Sequence, residues 1–336
     1  MKRSSVAVRI FRSRITFLVI FLTIFTVCFN VGTHGDFLEW TNIRFILSSM
    51  VISSYLTCGA ALLMITGCLD LSASQTAAFS GFVLAKFLFI GLPWYGAIIA
   101  SFVVAAVIGT INAFLIHEIN IPPFVATLAM SYIITGAMLL LSRTGGGFVL
   151  DETILWIGSY KIGGEVPIYL LFTAIILAVY CVLLSKTKFG KKVYLTGGNP
   201  VAARLSGLNP RATHYVLYIN NAILCACAGV LQAGRLGVGS MSGVSFGQFM
   251  GITCSILGGI SFGGGRGNIA GAFVGLLLLT AVNNGLVLLN VSSYISSVIS
   301  GVLLLVALSI ELFGGVIKSW TLRVARKTAR VFVKTI

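Results

Sequence analysis

Long apolar segments separated by short polar connections run through almost the whole chain, and they constrain its fold more than any other feature. Only 9% of the 336 residues are charged, whereas a soluble domain carries roughly 25%. The apolar segments have about the length that crosses a bilayer as a helix. The pattern therefore predicts one all-α polytopic membrane domain over residues 1–336. About ten spans are expected, at roughly 15–31, 45–66, 72–92, 95–116, 124–142, 167–185, 214–233, 245–262, 269–288 and 291–315.

Positive charge is concentrated in three clusters that flank the apolar segments. One cluster precedes the first predicted span, one fills a middle connection at 186–213, and one forms a tail at 318–336. Lys and Arg collect on the cytoplasmic side of membrane helices, and the ten-span arrangement puts 18 of the 23 basic residues on that side. Both termini are therefore predicted to be cytoplasmic, which requires an even number of spans.

The charge and cysteine patterns exclude other classes of protein. The net charge of +15 does not indicate nucleic-acid binding, because the basic residues only flank apolar segments. The tail is expected to contact anionic lipid of the inner leaflet. The seven cysteines lie in or at the ends of apolar segments without metal-site spacing, so they are interpreted as packing residues. No metal or cofactor is expected.

Two pairs of segments indicate an internal repeat. The stretch at 71–85 resembles 244–258 in its small residues and its Gln, and 111–130 resembles 282–301. In the ten-span arrangement, the two members of each pair run in opposite directions across the membrane. This predicts an inverted repeat, an architecture in which the transport path lies at the interface between the repeats.

The polar stretch "GGNPVAARLSGLNP" at 197–210 interrupts the apolar pattern. Asn199 is a favourable N-cap, and Pro200 at the first helical position loses no hydrogen bond. Gly207 and the following Asn-Pro pair indicate the end of the helix. The sequence therefore predicts a helix of about two turns in a basic cytoplasmic connection. The residues assigned to it are Asn199, Pro200, Ala202, Ala203, Arg204, Leu205, Ser206 and Gly207.

A few polar residues at the predicted spans are candidates for a transport path. Asp70 has no neighbouring cation, and an acid near lipid is costly and usually functional. Alternatively, Asp70 and Ser72 cap the next helix, and Ser72 with Gln75 has the spacing of a capping box. Side-chain amides offer both donors and acceptors, which suits a polyhydroxylated substrate. The candidates are Asp70, Asn112, Asn220, Asn221, Gln232, Asn283 and Asn284.

The densest glycine run, at 258–275, does not have the composition of a phosphate-binding loop. A Walker A motif needs a Lys after its second glycine, and this run contains none. Gly267, Gly271 and Gly275 are four residues apart, which predicts a ridge where helix backbones approach closely. The chain therefore shows no nucleotide site of its own.

These motifs together resemble the permease of bacterial ATP-binding-cassette sugar importers of the ribose and galactofuranose type. "LDLS" at 69–72 is similar to that family's Gly-Gly-x-Asp-Leu-Ser motif. "VYLTGGNPVAARLSGL" at 193–208 is similar to its central cytoplasmic segment, and the glycine run is similar to the family's segment near the C-terminus. The resemblance covers nearly the whole chain.

The resemblance implies a transport subunit, not an enzyme, in the bacterial inner membrane. ATP would be hydrolysed by separate cytoplasmic ATP-binding subunits, and the helix at 199–207 would be the coupling helix seated in a groove of such a subunit. A periplasmic sugar-binding protein would deliver a monosaccharide. A second permease, either another copy or a sister chain, would complete the membrane part.

Other functions remain open from the sequence. A permease of the same general fold could instead carry a nucleoside or an amino acid, and a binding assay is needed to distinguish these substrates. An ion-driven secondary transporter would need paired acids within the membrane, for which only Asp70 and Glu311 are available. A membrane scaffold without transport would need neither a repeat nor a coupling helix.

Overall fold

The computed structural model describes residues 14–142, 147–239 and 247–292, together with scattered positions between 294 and 309. These residues form twelve α-helices, a short 3-10 helix at Asp36–Leu38 and a two-stranded hairpin of β1 (Lys161–Ile162) and β2 (Val166–Pro167). The helices are α1 Arg14–Gly32, α2 Trp40–Ile65, α3 Ala73–Phe89, α4 Trp94–His117, α5 Pro123–Ser142, α6 Glu152–Ser159, α7 Ile168–Lys186, α8 Lys188–Gly198, α9 Pro200–Leu205, α10 Pro210–Leu236, α11 Gly247–Leu257 and α12 Ile269–Leu288.

The prediction of an all-α polytopic membrane protein is confirmed. Six of the described helices, α2, α4, α5, α7, α10 and α12, are long and apolar enough to cross a membrane. Helices α1, α3 and α11 also coincide with predicted spans. The basic tail at 318–336 and most of the predicted span at 291–315 lie outside the described residues. The count of ten and the side of the termini therefore stay predictions.

Helices α2 and α10 form the centre of the molecule. Helix α10 packs against α2, α3 and α4, while α2 also contacts α11 and α12. Their apolar side chains are mostly buried, whereas most of α4, α5 and α7 is turned outward. The contact between α3 and α10 is close because Gly229 leaves room for the backbone carbonyl of Ala77. A side chain at Gly229 would collide with that carbonyl.

The glycine run packs helices together at two of the three predicted ridge positions. The backbone of Gly271 lies against the Gly258 carbonyl, and Gly275 lies against the Cys254 carbonyl, so α11 and α12 approach closely. The third member of the predicted ridge, Gly267, precedes α12 in the connecting loop with φ +123° and packs on Ile260. The ridge therefore has two helical glycines and one loop glycine.

Two helices lie in regions that the sequence analysis treats as connections. Helix α6 occupies part of the segment at 143–166, and Asp151 caps it by accepting hydrogen bonds from the N–H groups of Thr153 and Ile154. Gly158 of α6 sits against the backbone of Gly234 in α10. Helix α8 precedes α9 in the basic connection and is capped by the Thr187 side chain. Both helices are amphipathic and too short to span a bilayer, so neither has the apolar length that predicts a membrane span.

The repeat segments map onto corresponding helices. The stretch at 71–85 contains most of α3, and 244–258 contains α11. The stretch at 111–130 joins α4 to α5, and its counterpart begins at the end of α12. The inverted relation between the pairs stays a prediction.

Candidate functional site

The connection between α2 and α3 holds a buried acid. Helix α2 ends at Ile65, Gly67 turns the chain with φ +80°, and Asp70 is only 6% exposed. Asp70 Oδ1 accepts hydrogen bonds from the Ser72 backbone N–H at 2.8 Å and from the Ser72 hydroxyl at 2.6 Å. Its Oδ2 accepts one from Asn221 Nδ2 at 2.7 Å. The carboxylate is therefore buried but well supplied with donors.

The same network reaches helix α4. Asn112 Nδ2 donates to the Ser72 hydroxyl oxygen at 2.9 Å, so Asn112, Ser72, Asp70 and Asn221 form one chain of hydrogen bonds. The Tyr218 hydroxyl donates to the Leu69 carbonyl at 2.9 Å and fixes the same connection against α10. The network joins the α2–α3 connection to α4 and α10.

The capping-box prediction for Ser72 and Gln75 is wrong. Ser72 lies at the N-cap of α3, but its hydroxyl makes no capping hydrogen bond. That hydroxyl instead donates to Asp70 and accepts from Asn112. A capping hydroxyl would accept a hydrogen bond from a backbone N–H of the first turn. Here the Ser72 oxygen accepts from the Asn112 amide instead, and its proton goes to the Asp70 carboxylate.

The seven predicted path residues do not share one network. Asp70, Asn112 and Asn221 belong to the buried chain of hydrogen bonds. Asn220 accepts a hydrogen bond from the Tyr180 hydroxyl on α7, and Gln232 is half-buried on α10.

The last two path residues lie on α12. Asn284 exchanges two hydrogen bonds of 2.9 Å with Asn42 of α2. Asn283 lines a separate cavity with Ser49, Ser53, Met250, Thr253, Leu279 and Thr280. The sequence identified the polar residues but not how they group.

The short helix is present where the sequence predicts it. Asn199 Oδ1 accepts hydrogen bonds from the N–H groups of Val201 and Ala202 at 3.1 and 3.0 Å, and Pro200 is the first helical residue. The helix ends at Leu205, and Gly207 follows in the left-handed region with φ +79°. Both ends are therefore set by local chemistry.

The sequence predicts that Ala202, Ala203 and Leu205 supply the apolar contact of α9 with a partner, and the structure exposes two of these three. Leu205 is 85% exposed and Val201 is 69% exposed, and they lie one turn apart on the same face. Ala202, Arg204 and Ser206 are exposed as well. Ala203 is buried at 3%, so it packs within the chain and is not available to a partner. Val201 takes its place, and the i, i+4 spacing of Val201 and Leu205 was the signal for it.

A junction of glycines ties α8 to the end of α2. The Gly265 N–H donates to the Ile65 carbonyl at 2.7 Å, and Gly197 lies directly against that carbonyl. The Tyr194 hydroxyl donates to the Gly267 carbonyl at 2.6 Å, and burial raises the pKa of Tyr194, so the phenol stays a donor. No side chain separates the Gly197 backbone from the Ile65 carbonyl. The contact therefore joins α8 directly to the end of α2, next to the α2–α3 connection.

Ion pairs at opposite ends of the helices agree with the predicted sides. Glu165, predicted outside, contacts Arg44 at 3.2 Å and accepts a hydrogen bond from Trp40 Nε1 at 2.7 Å. Glu118 and Arg211, both predicted inside, form an ion pair. Loops assigned to one side thus contact loops of the same side. Among the residues that the structure describes, no group of three or more His, Cys, Asp or Glu side chains has the arrangement of a metal site.

Comparison with known proteins places the chain among transport permeases. Residues 42–308 match the family model described as the permease component of a branched-chain amino acid transport system. The ribose import permease protein RbsC of Escherichia coli K12 is 28% identical over 82% of this chain and 87% of its own length.

Two further relatives also carry names of sugar permeases. The galactose/methyl galactoside import permease protein MglC of Haemophilus influenzae is 29% identical over 84% of this chain and 89% of its own length. The D-allose transport system permease protein AlsC of Escherichia coli K12 is 30% identical over 86% of this chain and 89% of its own length.

Proposed function

The chain belongs to the permease-component family of branched-chain amino acid transport systems, and we propose that its substrate is a monosaccharide. It is a multi-pass permease subunit of an ATP-binding-cassette importer and not an enzyme. The names of its relatives specify ribose, galactose and allose, which supports a sugar over the amino acid in the family description. The protein is located in the inner membrane of a bacterium.

The observation that carries the coupling part of this proposal is the exposed apolar face of α9. Val201 and Leu205 lie in a basic connection on the predicted cytoplasmic side, and both side chains are exposed instead of packing in the protein's own core. A short capped helix with two apolar side chains one turn apart suits a groove in a partner. We assign the ATP-binding subunit as that partner.

The glycine junction gives the coupling helix a route to the transport path. Closure of the ATP-binding subunits would move α9 and with it α8, whose Gly197 abuts the Ile65 carbonyl at the end of α2. The next residues of the chain carry Asp70 and its network. We infer that this connection converts the movement of α9 into a rearrangement of α2, α3 and α10.

The buried polar groups argue against an ion-driven secondary transporter. Such a transporter needs paired acids or a relay of ionisable groups within the membrane. Asp70 is the only buried acid among the described residues, and its partners are a neutral hydroxyl and neutral amides. The second acid considered, Glu311, lies outside the described residues.

The ten-span arrangement with both termini in the cytoplasm completes the proposal. It is supported by the charge distribution and by the ion pairs that join loops of the same predicted side. A second permease, two ATP-binding subunits and a periplasmic sugar-binding protein are the expected partners. The basic tail is expected to contact anionic lipid.

Uptake by the reconstituted complex tests the substrate. The permease is placed in proteoliposomes with its ATP-binding subunit and binding protein, and uptake of D-ribose, D-galactose, D-allose, leucine and adenosine is compared. We expect ATP-dependent uptake of a sugar that survives ionophores. Uptake of leucine or adenosine alone, or uptake abolished by ionophores, contradicts the proposal.

Leu205→Glu tests the coupling assignment. Leu205 contacts almost nothing within its own chain, so the variant should fold while losing co-purification of the ATP-binding subunit. Leu150→Glu is the matched control, because Leu150 is 82% exposed in the predicted outer segment. It should retain the ATP-binding subunit. Equal retention by both variants overturns the assignment of α9.

A further inference from the structure

A cavity with polar side chains in a largely apolar wall lies between α2, α11 and α12, separate from the network around Asp70. Its volume is about 270 Å³, which is close to the lower end of the range for small-molecule sites, roughly 300–1,000 Å³. Five of its seven lining side chains are polar, and none is ionisable. The lining residues are Ser49, Ser53, Met250, Thr253, Leu279, Thr280 and Asn283.

Thr280 is the distinctive residue of this cavity. It is 7% exposed, and its Oγ1 has no hydrogen-bond partner among the described residues. Hydroxyls in apolar helices usually donate to a carbonyl one turn earlier, as Ser49 and Thr253 do here. A buried hydroxyl without a partner costs free energy, so the position of the Thr280 hydroxyl at a cavity indicates that a ligand or a water completes its hydrogen bonding.

The cavity lies at the depth expected for a substrate. Ser53 is near the middle of α2, and Thr280 is near the middle of α12, both of which are long enough to cross a membrane. In transporters built from inverted repeats, substrates bind near the bilayer midplane, where helices from different repeats meet. Helix α11 belongs to the predicted second repeat, and α2 immediately precedes the first.

The chemistry of the lining selects the class of ligand. Hydroxyl and amide groups offer donors and acceptors without charge, which fits several hydroxyls of a neutral sugar and penalises an amino acid with its two charges. A lipid chain is disfavoured because it would leave the buried Thr280 hydroxyl without a hydrogen-bond partner. The cavity is also several times larger than the share of about 30 Å³ that one water occupies.

We propose that this cavity is a sugar-binding subsite of the translocation path, in which Thr280 Oγ1 and the Asn283 amide contact substrate hydroxyls. The subsite rests on the proposed function, because its occupant is the imported sugar. It assigns substrate contact to α2, α11 and α12, whereas the Asp70 network holds the cytoplasmic end of the path.

Thr280→Val removes the hydroxyl and keeps the volume of the side chain. At low substrate concentration, uptake of the transported sugar should fall about 3- to 10-fold, the worth of one hydrogen bond. Stimulation of ATP hydrolysis by the loaded binding protein should stay unchanged, since α9 is untouched.

Thr76→Val is the matched control, because Thr76 is also buried with an unpartnered Oγ1 but does not line the cavity. It should retain uptake.

Ser53→Trp provides a second test that does not depend on one hydrogen bond. The indole would fill the cavity and block uptake while ATP hydrolysis is still stimulated. Ser48→Trp, on the same helix and also half-buried, lies outside the cavity lining and should retain uptake. If Ser53→Trp does not accumulate in the membrane, Thr280→Val decides.

The two proposals fail in different ways. Sugar uptake by the wild-type complex that persists in both Thr280→Val and Ser53→Trp overturns the subsite and leaves the proposed function standing. Absence of uptake for all three sugars by the wild-type complex overturns the proposed function and, with it, the sugar as occupant of the cavity. Selective loss in the two cavity variants supports the subsite.

Discussion

At the scale of single residues, Asp70 shows how a buried charge is held by this fold. Its two oxygens accept three hydrogen bonds, two from Ser72 and one from Asn221. These donors belong to two chain segments that are far apart in sequence. The carboxylate therefore holds the α2–α3 connection against α10. A simple helix cap, the alternative that the sequence left open, would account only for the contacts with Ser72 and not for the hydrogen bond from Asn221.

Exchanging the carboxylate and the amide between positions 70 and 221 tests whether this hydrogen bond holds the α2–α3 connection against α10. Asn221→Asp puts two carboxylates against each other in a buried site, which should cost on the order of 3 kcal/mol and lower the melting temperature of the purified permease. Adding Asp70→Asn restores one carboxylate and one amide with their positions exchanged, so stability should recover. Asn220→Asp is the control, because its neighbour Tyr180 still donates to a carboxylate. A double variant no more stable than Asn221→Asp would refute this role of the hydrogen bond.

At the scale of elements, α9 has well-defined ends but is too short to be stable by itself. Six residues are too few for a helix to persist by its own hydrogen bonds. Its persistence depends on the Asn199 cap, on Gly207 and on the packing of Ala203. Helix α10 has an equivalent cap at Asn209 but is also held by its buried surface.

Removing each cap should therefore have different consequences. Asn199→Ala loses two cap hydrogen bonds, worth about 1 kcal/mol, and should lower ATP hydrolysis stimulated by the loaded binding protein. Asn199→Ser keeps a capping oxygen and should retain most of the stimulation. Asn209→Ala, the same change on α10, should leave stimulation intact. Full stimulation in Asn199→Ala would show that the ordered helix is not needed for coupling.

At the scale of the whole molecule, the tertiary contacts join loops that the charge distribution predicts to lie on the same side of the membrane. The segment at 147–166 pairs with the chain after α10 through a bridge between Phe148 and Val238. Both regions are predicted to be outside. On the other side, Gly197, Ile65 and Gly265 bring three predicted cytoplasmic regions into contact. The long helices between them separate these two groups of loops.

Cysteine labelling in intact cells tests the sidedness. Ser159→Cys lies in the exposed outer segment and should react with a membrane-impermeant maleimide. Ser206→Cys lies at the end of α9 and should react only after the membrane is permeabilised. The unmodified protein controls for the native thiols, of which Cys28 is exposed. Equal labelling at both positions in intact cells rules out the ten-span arrangement.

The sequence alone determined the features that depend on neighbouring residues. Apolar segment length determined the membrane class, and the basic clusters determined the predicted sides. Asn199 and Gly207 determined where α9 begins and ends, because a cap needs only a side chain and the next two N–H groups. The four-residue spacing of Gly271 and Gly275 likewise predicted a close contact between helices.

Only the tertiary structure decided which distant residues meet. Asp70 and Asn221 are 151 positions apart, and their pairing depends on how α10 is rotated against α3. The tertiary structure also decided the role proposed for Thr280, because its unpartnered hydroxyl lies beside a cavity that α2 and α11 leave open. Nearly every face of these helices is apolar, so the periodicity of the sequence does not say which face is buried. Side-chain packing between helices makes that choice.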